Sequence, residues 1–255
     1  MEDKTPKTLN IVIPMAGGGR SFIEAGYTFP KPLIDVGGKT MIELVASNLK
    51  PNCEHKFIFV CLREHYEKYD LYNIFKRATD NKFEVIQIAG PTEGAACSVI
   101  CAIEHINNEN DLLIANADQY LDLDINEFIN SAREGDKDGL IMTFNASHPK
   151  WSYARVDNVN RVIETAEKKV ISDKATVGLY YFRRGADFVK AAQGMFMKNI
   201  RYNNEFYVCP VFNEMILEDK NIYIYHIDAN KMHGLGTPED LRKFTQAVAD
   251  GKVKI

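Results

Sequence analysis

The sequence lacks any apolar run long enough to cross a membrane or to form the core of a signal peptide. Its polar start, MEDKTPKTLN, leads into a first apolar run at residues 11–15, which is too short for either purpose. We therefore expect a cytoplasmic protein with no membrane partner.

An excess of positive charge is also missing. The chain carries 31 Lys and Arg residues against 35 Asp and Glu residues, which gives a formal net charge of -4. A general nucleic-acid-binding protein would usually be basic, so we expect no nucleic-acid partner. An anionic substrate would have to be held by a few cations placed close to it.

Cysteine pairs with the spacing of metal ligands are absent as well. The chain has 5 cysteines, an odd number, and no C-x-x-C pair occurs among them. We interpret them as reduced residues of the protein core, with a metal site as the weaker alternative. They are Cys53, Cys61, Cys97, Cys101 and Cys209.

No internal repeat or Pro/Ser-rich linker divides the 255 residues, so we predict a single domain over residues 1–255 with its core at about 9–249. Continuous apolar runs alternate with helical patterns in the first half, which predicts a parallel sheet covered by helices on both faces. The fold class is therefore α/β, with a mixed, mostly parallel sheet flanked by helices. The predicted strands are 9–14, 56–61, 82–89 and 111–116, and the predicted helices are 41–49, 64–78 and 96–106.

The second half of the chain is less regular. Residues 153–166 resemble a β-hairpin whose turn lies at 157–160. The final helix has a clear start, because Thr237 suits the N-cap position and Pro238 the first helical position. Further strands are predicted at 139–146, 176–182 and 222–227.

The strongest local feature is the segment 14–33, PMAGGGRSFIEAGYTFPKPL, in which a buried strand runs directly into three glycines. Without a Cβ atom, backbone N–H groups can converge on an anion there, and Arg20 and Lys31 add positive charge. No Lys-Ser or Lys-Thr follows the glycines, and Phe22 stands where the dinucleotide fingerprint needs its third Gly. We predict an anion-binding loop, with a plain glycine turn as the alternative.

A second candidate site lies at residues 116–119, at the end of the fourth predicted strand. Ligands of open α/β sheets bind beyond the C-terminal strand ends, where a carboxylate such as Asp118 can hold Mg²⁺ beside phosphates. The alternative is an Asp that caps a turn. The nearby D-x-D pair, Asp122 and Asp124, is interpreted as a solvated turn and helix cap.

Six short motifs follow one another between residue 9 and about residue 247. They are Gly17-Gly18-Gly19, Pro30-Lys31-Pro32-Leu33, Glu93-Gly94-Ala95-Ala96, Asp118, Glu167-Lys168 and Gly236-Thr237-Pro238-Glu239-Asp240-Leu241. In this order they resemble the sugar-nucleotide pyrophosphorylase family, which has a glycosyltransferase-A-like nucleotidyltransferase fold. The resemblance implies a transferase that moves a nucleoside monophosphate from a nucleoside triphosphate to a small phosphorylated acceptor, releases pyrophosphate, requires Mg²⁺ and can form a homo-oligomer.

Within that family the chain is most similar to a capsule-associated branch that includes CTP:phosphoglutamine cytidylyltransferase. The stretches GPTEGAACSV, HPKWSYARV, NNEFYVCPVFNEM and KMHGLGTPEDL carry this likeness. It implies CTP as the nucleotide and phosphoglutamine as the acceptor. Alternatives stay open: a sugar-1-phosphate nucleotidyltransferase that uses UTP, dTTP or CTP, a glycosyltransferase with its metal at the D-x-D pair, or a nucleotide-sensing module.

The resemblance also implies roles on the nucleotide side of the reaction. Lys31 and an Arg, here Arg20, would hold the triphosphate and stabilise the departing pyrophosphate, and Asp118 would bind Mg²⁺. The implied nucleotide-binding residues are Met15, Ala16, Gly17, Gly18, Gly19, Gly94, Ala95 and Asn116.

On the acceptor side, the resemblance implies that Lys168 holds the phosphate of the acceptor. Glu205 and the backbone at Gly178 would contact the rest of the acceptor. Two positions depart from the family pattern. Ser21 stands where the loop Arg usually lies, and Gly234 stands where a second metal-binding Asp usually lies.

Overall fold

The computed structural model describes residues 7–255 of the chain. The polar first six residues, on which the expected absence of a signal peptide partly depends, lie outside the described residues. No helix in the described range is long and apolar enough to cross a membrane.

Most of the strands form one central sheet, and two short pairs lie outside it. The strands are β1 (Leu9–Pro14), β2 (Asp35–Val36), β3 (Lys39–Thr40), β4 (His55–Leu62), β5 (Phe83–Ile88), β6 (Asp111–Ala115), β7 (Gln119–Leu121), β8 (Gly139–Asn145), β9 (Tyr153–Val156), β10 (Val162–Ala166), β11 (Lys174–Phe182), β12 (Ile222–His226) and β13 (Met232–Gly234).

Helices cover both faces of this sheet. They are α1 (Arg20–Glu24), α2 (Met41–Asn48), α3 (Arg63–Lys68), α4 (Leu71–Thr79), α5 (Ala95–Ile100), α6 (Ile103–Ile106), α7 (Ile125–Arg133), α8 (Gly185–Met197), α9 (Val211–Leu217) and α10 (Pro238–Ala249). Short 3-10 turns occupy Lys31–Leu33 and Ala229–Lys231.

The central sheet has nine strands, with β10-β9-β11-β6-β1-β4-β5 in one path, β8 paired with β11, and β12 paired in parallel with β8. Strand β1 pairs in parallel with β4 and β6, and β5 pairs in parallel with β4. Strand β11 is antiparallel to β6, β8 and β9. All sheet strands except β11 and β10 therefore share one direction, which confirms the predicted α/β fold class.

The predicted strands are confirmed, and in the central ones the apolar run is buried on both faces of the sheet, as in β1, where Leu9 and Ile11 pack on one face and Val12 on the other. The predicted hairpin is also confirmed, since β9 and β10 pair antiparallel. Its turn is fastened by the Asp157 carboxylate, which accepts hydrogen bonds from two backbone N–H groups.

Two predicted helices are each broken into two. Helix 64–78 is α3 and α4, because Asp70 between them adopts a left-handed conformation with φ 50°, which Asp tolerates better than most residues. Helix 96–106 is α5 and α6. Apolar spacing continues through both breaks, so the pattern alone could not reveal them.

Helix α10 begins as predicted. The Thr237 hydroxyl accepts a hydrogen bond from the backbone N–H of Asp240 at 3.1 Å, and Pro238 is the first helical residue. Leu241 and Phe244 are buried against the core. The helix therefore fixes the segment just before it, which carries part of the site.

The cysteine prediction is correct in part. All five cysteines are free thiols; Cys61 and Cys209 are buried, and Cys53 and Cys97 are half-buried. Cys101 is exposed, which corrects its assignment to the core. In residues 7–255 no group of three or more His, Cys, Asp or Glu side chains is placed to hold a metal ion, so the alternative of a cysteine metal site gains no support.

Candidate active site

A cavity of about 560 Å³ opens beyond the C-terminal ends of β1 and β6, where ligands of open α/β sheets bind. Nine of the residues predicted to form the site line it. They are Met15, Gly17, Gly19, Lys31, Ala95, Asn116, Asp118, Lys168 and Gly178. Ala16, Gly18, Gly94, Arg20 and Glu205 are not among the lining residues.

The glycine-rich loop closes tightly onto the segment that carries Lys31. Gly19 has φ 58°, and a Cβ atom there would lie 3.1 Å from the Cβ of Lys31. The position therefore needs glycine for both its backbone conformation and its packing. Cβ atoms at Gly17 and Gly18 would meet nothing within 4 Å, so these two leave the floor of the loop open.

Arg20 does not reach the cavity, and the expected triphosphate contact is not supported by its position. It is the first residue of α1; its side chain is 91% exposed and pairs with Glu24 one turn later at 3.5 Å. Phe22 is the residue of this turn that faces the core. Side chains two residues apart on a helix point in nearly opposite directions. Because Phe22 faces the core, Arg20 points toward solvent.

Lys31 and Asp118 form the central charged pair of the cavity. The Lys31 ammonium donates a hydrogen bond to the Asp118 carboxylate, and the two side chains are only 20% and 28% exposed. A pair that is largely withdrawn from water interacts more strongly than a surface pair. The pair joins the loop after β1 to the loop after β6.

The backbone around Asp118 is fixed from two sides. Strand β13 pairs with β7, and the Leu235 N–H that follows it donates to the Asp118 carbonyl at 2.7 Å. The Asn116 N–H donates to the Gly178 carbonyl at 3.0 Å. The β7–β13 pair was not predicted; it brings the segment before α10 against Asp118.

Gly178 has φ 91°, and a Cβ atom there would lie 2.2 Å from the amide nitrogen of Asn116. We expect Gly178→Ala to lower the free energy of unfolding by more than the roughly 1–3 kcal/mol of backbone strain alone, because the methyl group also displaces Asn116. Urea denaturation measures this. Gly135→Ala is the matched control, since φ is 66° there and a Cβ atom meets nothing within 4 Å. Equal losses in the two variants would show that the Asn116 contact has no effect.

Glu167 and Lys168 line the same cavity after β10. Glu167 is 8% exposed and accepts a hydrogen bond from the Ser152 hydroxyl. Burial raises the pKa of Glu167, and the Ser152 hydrogen bond and the charge of Lys168 oppose that rise. The sequence singled out this residue only as part of a motif, whereas the structure makes it a buried acid of the cavity wall.

Lys168 points at tyrosine rings. Its ammonium donates to the Tyr207 hydroxyl at 3.0 Å, and the Tyr207 hydroxyl donates to the Glu205 carboxylate at 2.6 Å. Burial raises the pKa of Tyr207, and the hydrogen bond to Glu205 raises it further. Glu205 therefore reaches the cavity only through Tyr207, a residue that the sequence did not single out.

Lys150 and Trp151 also line the cavity. The Lys150 ammonium lies 4.6 Å from the Trp151 ring centroid and 3.6 Å from the Asp240 carboxylate. In the sequence they lie within the stretch HPKWSYARV. They add a third lysine to the cavity, beside Lys31 and Lys168.

The residues present fit a magnesium ion that is carried in with a nucleotide. Asp118 and Asp240 line the cavity, and the Lys31 ammonium shows that the Asp118 carboxylate already accepts a cation. Mg²⁺ is commonly bound by one or two carboxylates together with substrate phosphates. A Cβ atom at Gly234 would lie 3.9 Å from the Asp240 carboxylate, which places that carboxylate beside the position of the missing Asp.

The D-x-D pair, Asp122 and Asp124, forms a solvated turn and a helix cap, as the sequence predicted. Both aspartates are exposed, and the Asp124 carboxylate accepts a hydrogen bond from the Asn126 N–H at 2.9 Å, which caps α7. Neither Asp122 nor Asp124 lines the cavity. The position of the pair gives no support to a glycosyltransferase metal site.

Comparison with known proteins decides the family. The model of the nucleotidyl transferase family matches residues 11–251, which is nearly the whole chain. The chain belongs to the nucleotidyl transferase family.

Similar proteins extend this result. This nucleotidyl transferase is 29% identical, over 178 residues, to the bifunctional protein GlmU of Methanococcus aeolicus, covering 68% of this chain and 40% of that protein. The chain thus spans well under two thirds of that relative. It is 25% identical to the nucleoside-diphosphate-sugar pyrophosphorylase from Vibrio cholerae RC9, with a TM-score of 0.81 over 92% of this chain and 99% of that one.

The inositol-1-phosphate CTP transferase from T. maritima shares the fold of this nucleotidyl transferase, with a TM-score of 0.74 over 96% of this chain and 98% of that one. The two sequences are 12% identical, so the likeness concerns the fold alone. The predicted family is confirmed, while the reaction, the capsule-associated branch, CTP and phosphoglutamine stay predictions.

Proposed function

We propose that this nucleotidyl transferase moves a cytidylyl group from CTP to a small phosphorylated acceptor of the phosphoglutamine type, in capsule modification, and releases pyrophosphate. The observation that carries the reaction is the joint placement of Lys31, Asp118 and Lys168 around one cavity. The nucleoside triphosphate and the acceptor phosphate are both anions and must meet in this cavity. The positive charges of Lys31, Lys150 and Lys168 offset the repulsion between them.

The proposed reaction needs no general base. An acceptor phosphate oxygen, already anionic, attacks the α-phosphorus of the triphosphate; a new phosphorus–oxygen bond forms and the bond to the β-phosphate oxygen breaks. Pyrophosphate takes the electron pair away. Catalysis then depends on alignment and on electrostatic stabilisation, as in other phosphoryl transfers.

Different charged groups of the cavity would serve the nucleotide and the acceptor. Lys31 is held at the cavity wall by Asp118, beside the glycine-rich loop, where it would meet the triphosphate. Mg²⁺ would be held by Asp118 with Asp240 close by, and when bound it would neutralise phosphate charge. Lys168, anchored on Tyr207, would hold the acceptor phosphate.

The choice of CTP rests on the likeness to the capsule-associated branch. Gly94 has φ 120° and is pressed against the backbone of Phe206, where a Cβ atom would lie 2.4 Å from the carbonyl oxygen. The turn at Gly94 is therefore fixed, and it sets the backbone of Ala95, which lines the cavity. Fixed backbone groups suit the donors and acceptors of a base. A base with the wrong pattern would leave buried polar groups unpaired.

A sugar-1-phosphate nucleotidyltransferase using UTP, dTTP or CTP is the second candidate. It is favoured by the relatives from Vibrio cholerae and Methanococcus aeolicus, whose names describe a nucleoside-diphosphate-sugar pyrophosphorylase and a bifunctional GlmU protein. The buried Glu167 carboxylate could accept a hydrogen bond from a sugar hydroxyl as readily as from an amino group.

A matrix of nucleoside triphosphates against acceptors separates the candidates. We expect pyrophosphate release to be fastest with CTP and phosphoglutamine, and at least about 100-fold slower when the base lacks the matching hydrogen-bonding pattern. The assay couples pyrophosphate release to phosphate detection, with each nucleotide alone as the blank. Release with UTP or dTTP and a sugar 1-phosphate, but none with CTP, would contradict the proposed substrates. Nucleotide binding without release for any pair would favour the sensing module.

A further inference from the structure

Residues 252–255 turn back from helix α10 onto the protein. The N–H of Gly251 donates to the Val248 carbonyl at 3.0 Å. The N–H of Lys252 donates to the Ala247 carbonyl at 2.9 Å. Gly251 has φ 71°, the left-handed conformation that this kind of helix ending needs. The chain therefore reverses its direction at the end of the helix. We name residues 252–255 the strap.

The strap holds two separate elements of the fold. Val253 is buried and packs in the core. The Lys254 carbonyl accepts a hydrogen bond from the Tyr120 hydroxyl of β7 at 2.6 Å. Ile255 packs on the turn of the β2–β3 hairpin so closely that a Cβ atom at Gly37 would lie 2.6 Å from its Cδ1 atom. The strap therefore ties β7 to the β2–β3 hairpin.

The hairpin is bonded to the backbone of Lys31. The Ile34 N–H donates to the Lys31 carbonyl at 3.2 Å, and the Ile34 carbonyl accepts from the Met41 N–H at 2.9 Å. The paired strands of the hairpin occupy residues 35–40, between these two bonds. A shift of the hairpin is therefore passed on to the turn that carries Lys31.

The other contact of the strap holds the strand that follows Asp118. Tyr120 lies two residues after Asp118, is buried, and pairs with His233 of β13. Lys31 and Asp118 are thus joined twice, once by their own hydrogen bond in the cavity and once through the strap. Neither Tyr120 nor a strap residue is among those that line the cavity, so the strap does not touch the substrates.

A second link between these parts of the chain is independent of the strap. The Asn48 side chain of α2 exchanges two hydrogen bonds with the backbone of Leu121 in β7, at 2.8 and 2.9 Å. Helix α2 and β7 therefore stay together when the strap is weakened. The strap adds a hold on the hairpin, so its loss should shift Lys31 without unfolding the domain.

We propose that the strap positions Lys31 for the triphosphate, with Tyr120 and Ile255 as the positioning residues. The inference rests on the proposed function, because Lys31 meets the triphosphate in that reaction. Alignment is demanding in such a site, since a misplacement of about 1 Å can cost roughly 100-fold in rate. The strap meets this demand from outside the cavity, by fixing the backbone on both sides of the Lys31–Asp118 pair.

Ile255→Ala and Tyr120→Phe loosen the two contacts of the strap separately. We expect each to lower kcat/KM for the nucleotide by about tenfold, and to leave KM for the acceptor within about twofold of wild type. Initial rates of pyrophosphate release measure both, with the nucleotide and acceptor that the wild-type protein uses fastest. Thermal unfolding checks that the two variants keep the fold.

Two variants match these changes away from the strap. Tyr225→Phe removes the hydroxyl of a half-buried tyrosine, which donates to Glu127 at 3.4 Å. Ile163→Ala shortens an isoleucine that is 45% exposed, close to the 38% of Ile255. Neither residue lines the cavity, so both variants should keep wild-type kinetics.

A double-mutant cycle with Lys31→Ala shows whether the strap acts through Lys31. Calorimetry with a non-hydrolysable analogue of the nucleotide gives the affinities, so the cycle does not depend on residual turnover. In the Lys31→Ala background, Ile255→Ala should lower nucleotide affinity by less than about twofold, because the side chain that the strap positions is gone. An undiminished effect in that background, an equal loss for both substrates, or wild-type kinetics in both strap variants would overturn the inference.

Failure of this inference is distinguishable from failure of the proposed function. Pyrophosphate release by the wild-type protein, with unchanged nucleotide kinetics in the strap variants, overturns the role of the strap alone. Absence of release with every nucleotide and acceptor overturns the proposed function, and the affinity cycle then still tests whether the strap positions Lys31 for a nucleotide.

Discussion

Asp118→Asn is expected to slow pyrophosphate release by about 100- to 1,000-fold, the range typical for loss of one electrostatic contact to the reacting phosphates. The substitution keeps the shape of the side chain but removes the charge that pairs with Lys31 and that would hold Mg²⁺. Initial rates at saturating nucleotide and acceptor measure the effect. The fold should be retained, because the Asp118 carbonyl still accepts from Leu235.

Asp122→Asn is the matched control for this prediction. Asp122 is exposed and lies four residues further along, outside the cavity lining, so its variant should turn over at nearly the wild-type rate. Thermal unfolding of both variants checks that neither has lost the fold. A turnover close to wild type in Asp118→Asn would remove this carboxylate from the mechanism.

Lys31→Ala and Lys168→Ala are expected to separate the two substrates. Each loses a charge-assisted hydrogen bond to phosphate, worth about 1.5–3 kcal/mol, or about 10- to 150-fold in affinity. Lys31→Ala should weaken nucleotide binding and spare the acceptor, whereas Lys168→Ala should weaken the acceptor and spare the nucleotide. Calorimetry with a non-hydrolysable CTP analogue and with the acceptor measures both.

Lys169→Ala provides the control for the second lysine. Lys169 follows Lys168 directly but is exposed and does not line the cavity, so both affinities should stay near wild type. The assignment of the two lysines is wrong if Lys168→Ala loses nucleotide affinity while its acceptor affinity is unchanged.

The central strands could be predicted because burial on both faces demands unbroken apolar runs, and β1, β4 and β6 have them. Helix α8 was missed, since its 13 residues include two glycines and follow directly on a buried strand. The β7–β13 pair was missed for a different reason. Its strands have three residues each and come from distant parts of the chain, so no local pattern marks them.

The site could be predicted where a motif fixes the backbone. Lys31 and Asp118 are held by a proline-rich turn and a strand end, and both reached the cavity. Arg20 did not reach the cavity, because the direction of its side chain depends on where α1 begins. It lies one residue before the usual position of the family Arg, and this shift along the helix turns its side chain outward. Glu205 lies one step from the cavity, behind Tyr207, since contacts within a tight turn depend on rotamers that the sequence does not specify.

Transfer of the labelled α-phosphorus of CTP tests the account most directly. With CTP labelled at that atom, Mg²⁺ and phosphoglutamine, we predict that all label lost from CTP appears in a cytidylylated acceptor. One pyrophosphate should form for each product molecule. Label recovered as free CMP would mean hydrolysis, label recovered as CDP would mean transfer of the terminal phosphate, and either result would contradict nucleotidyl transfer to a phosphorylated acceptor.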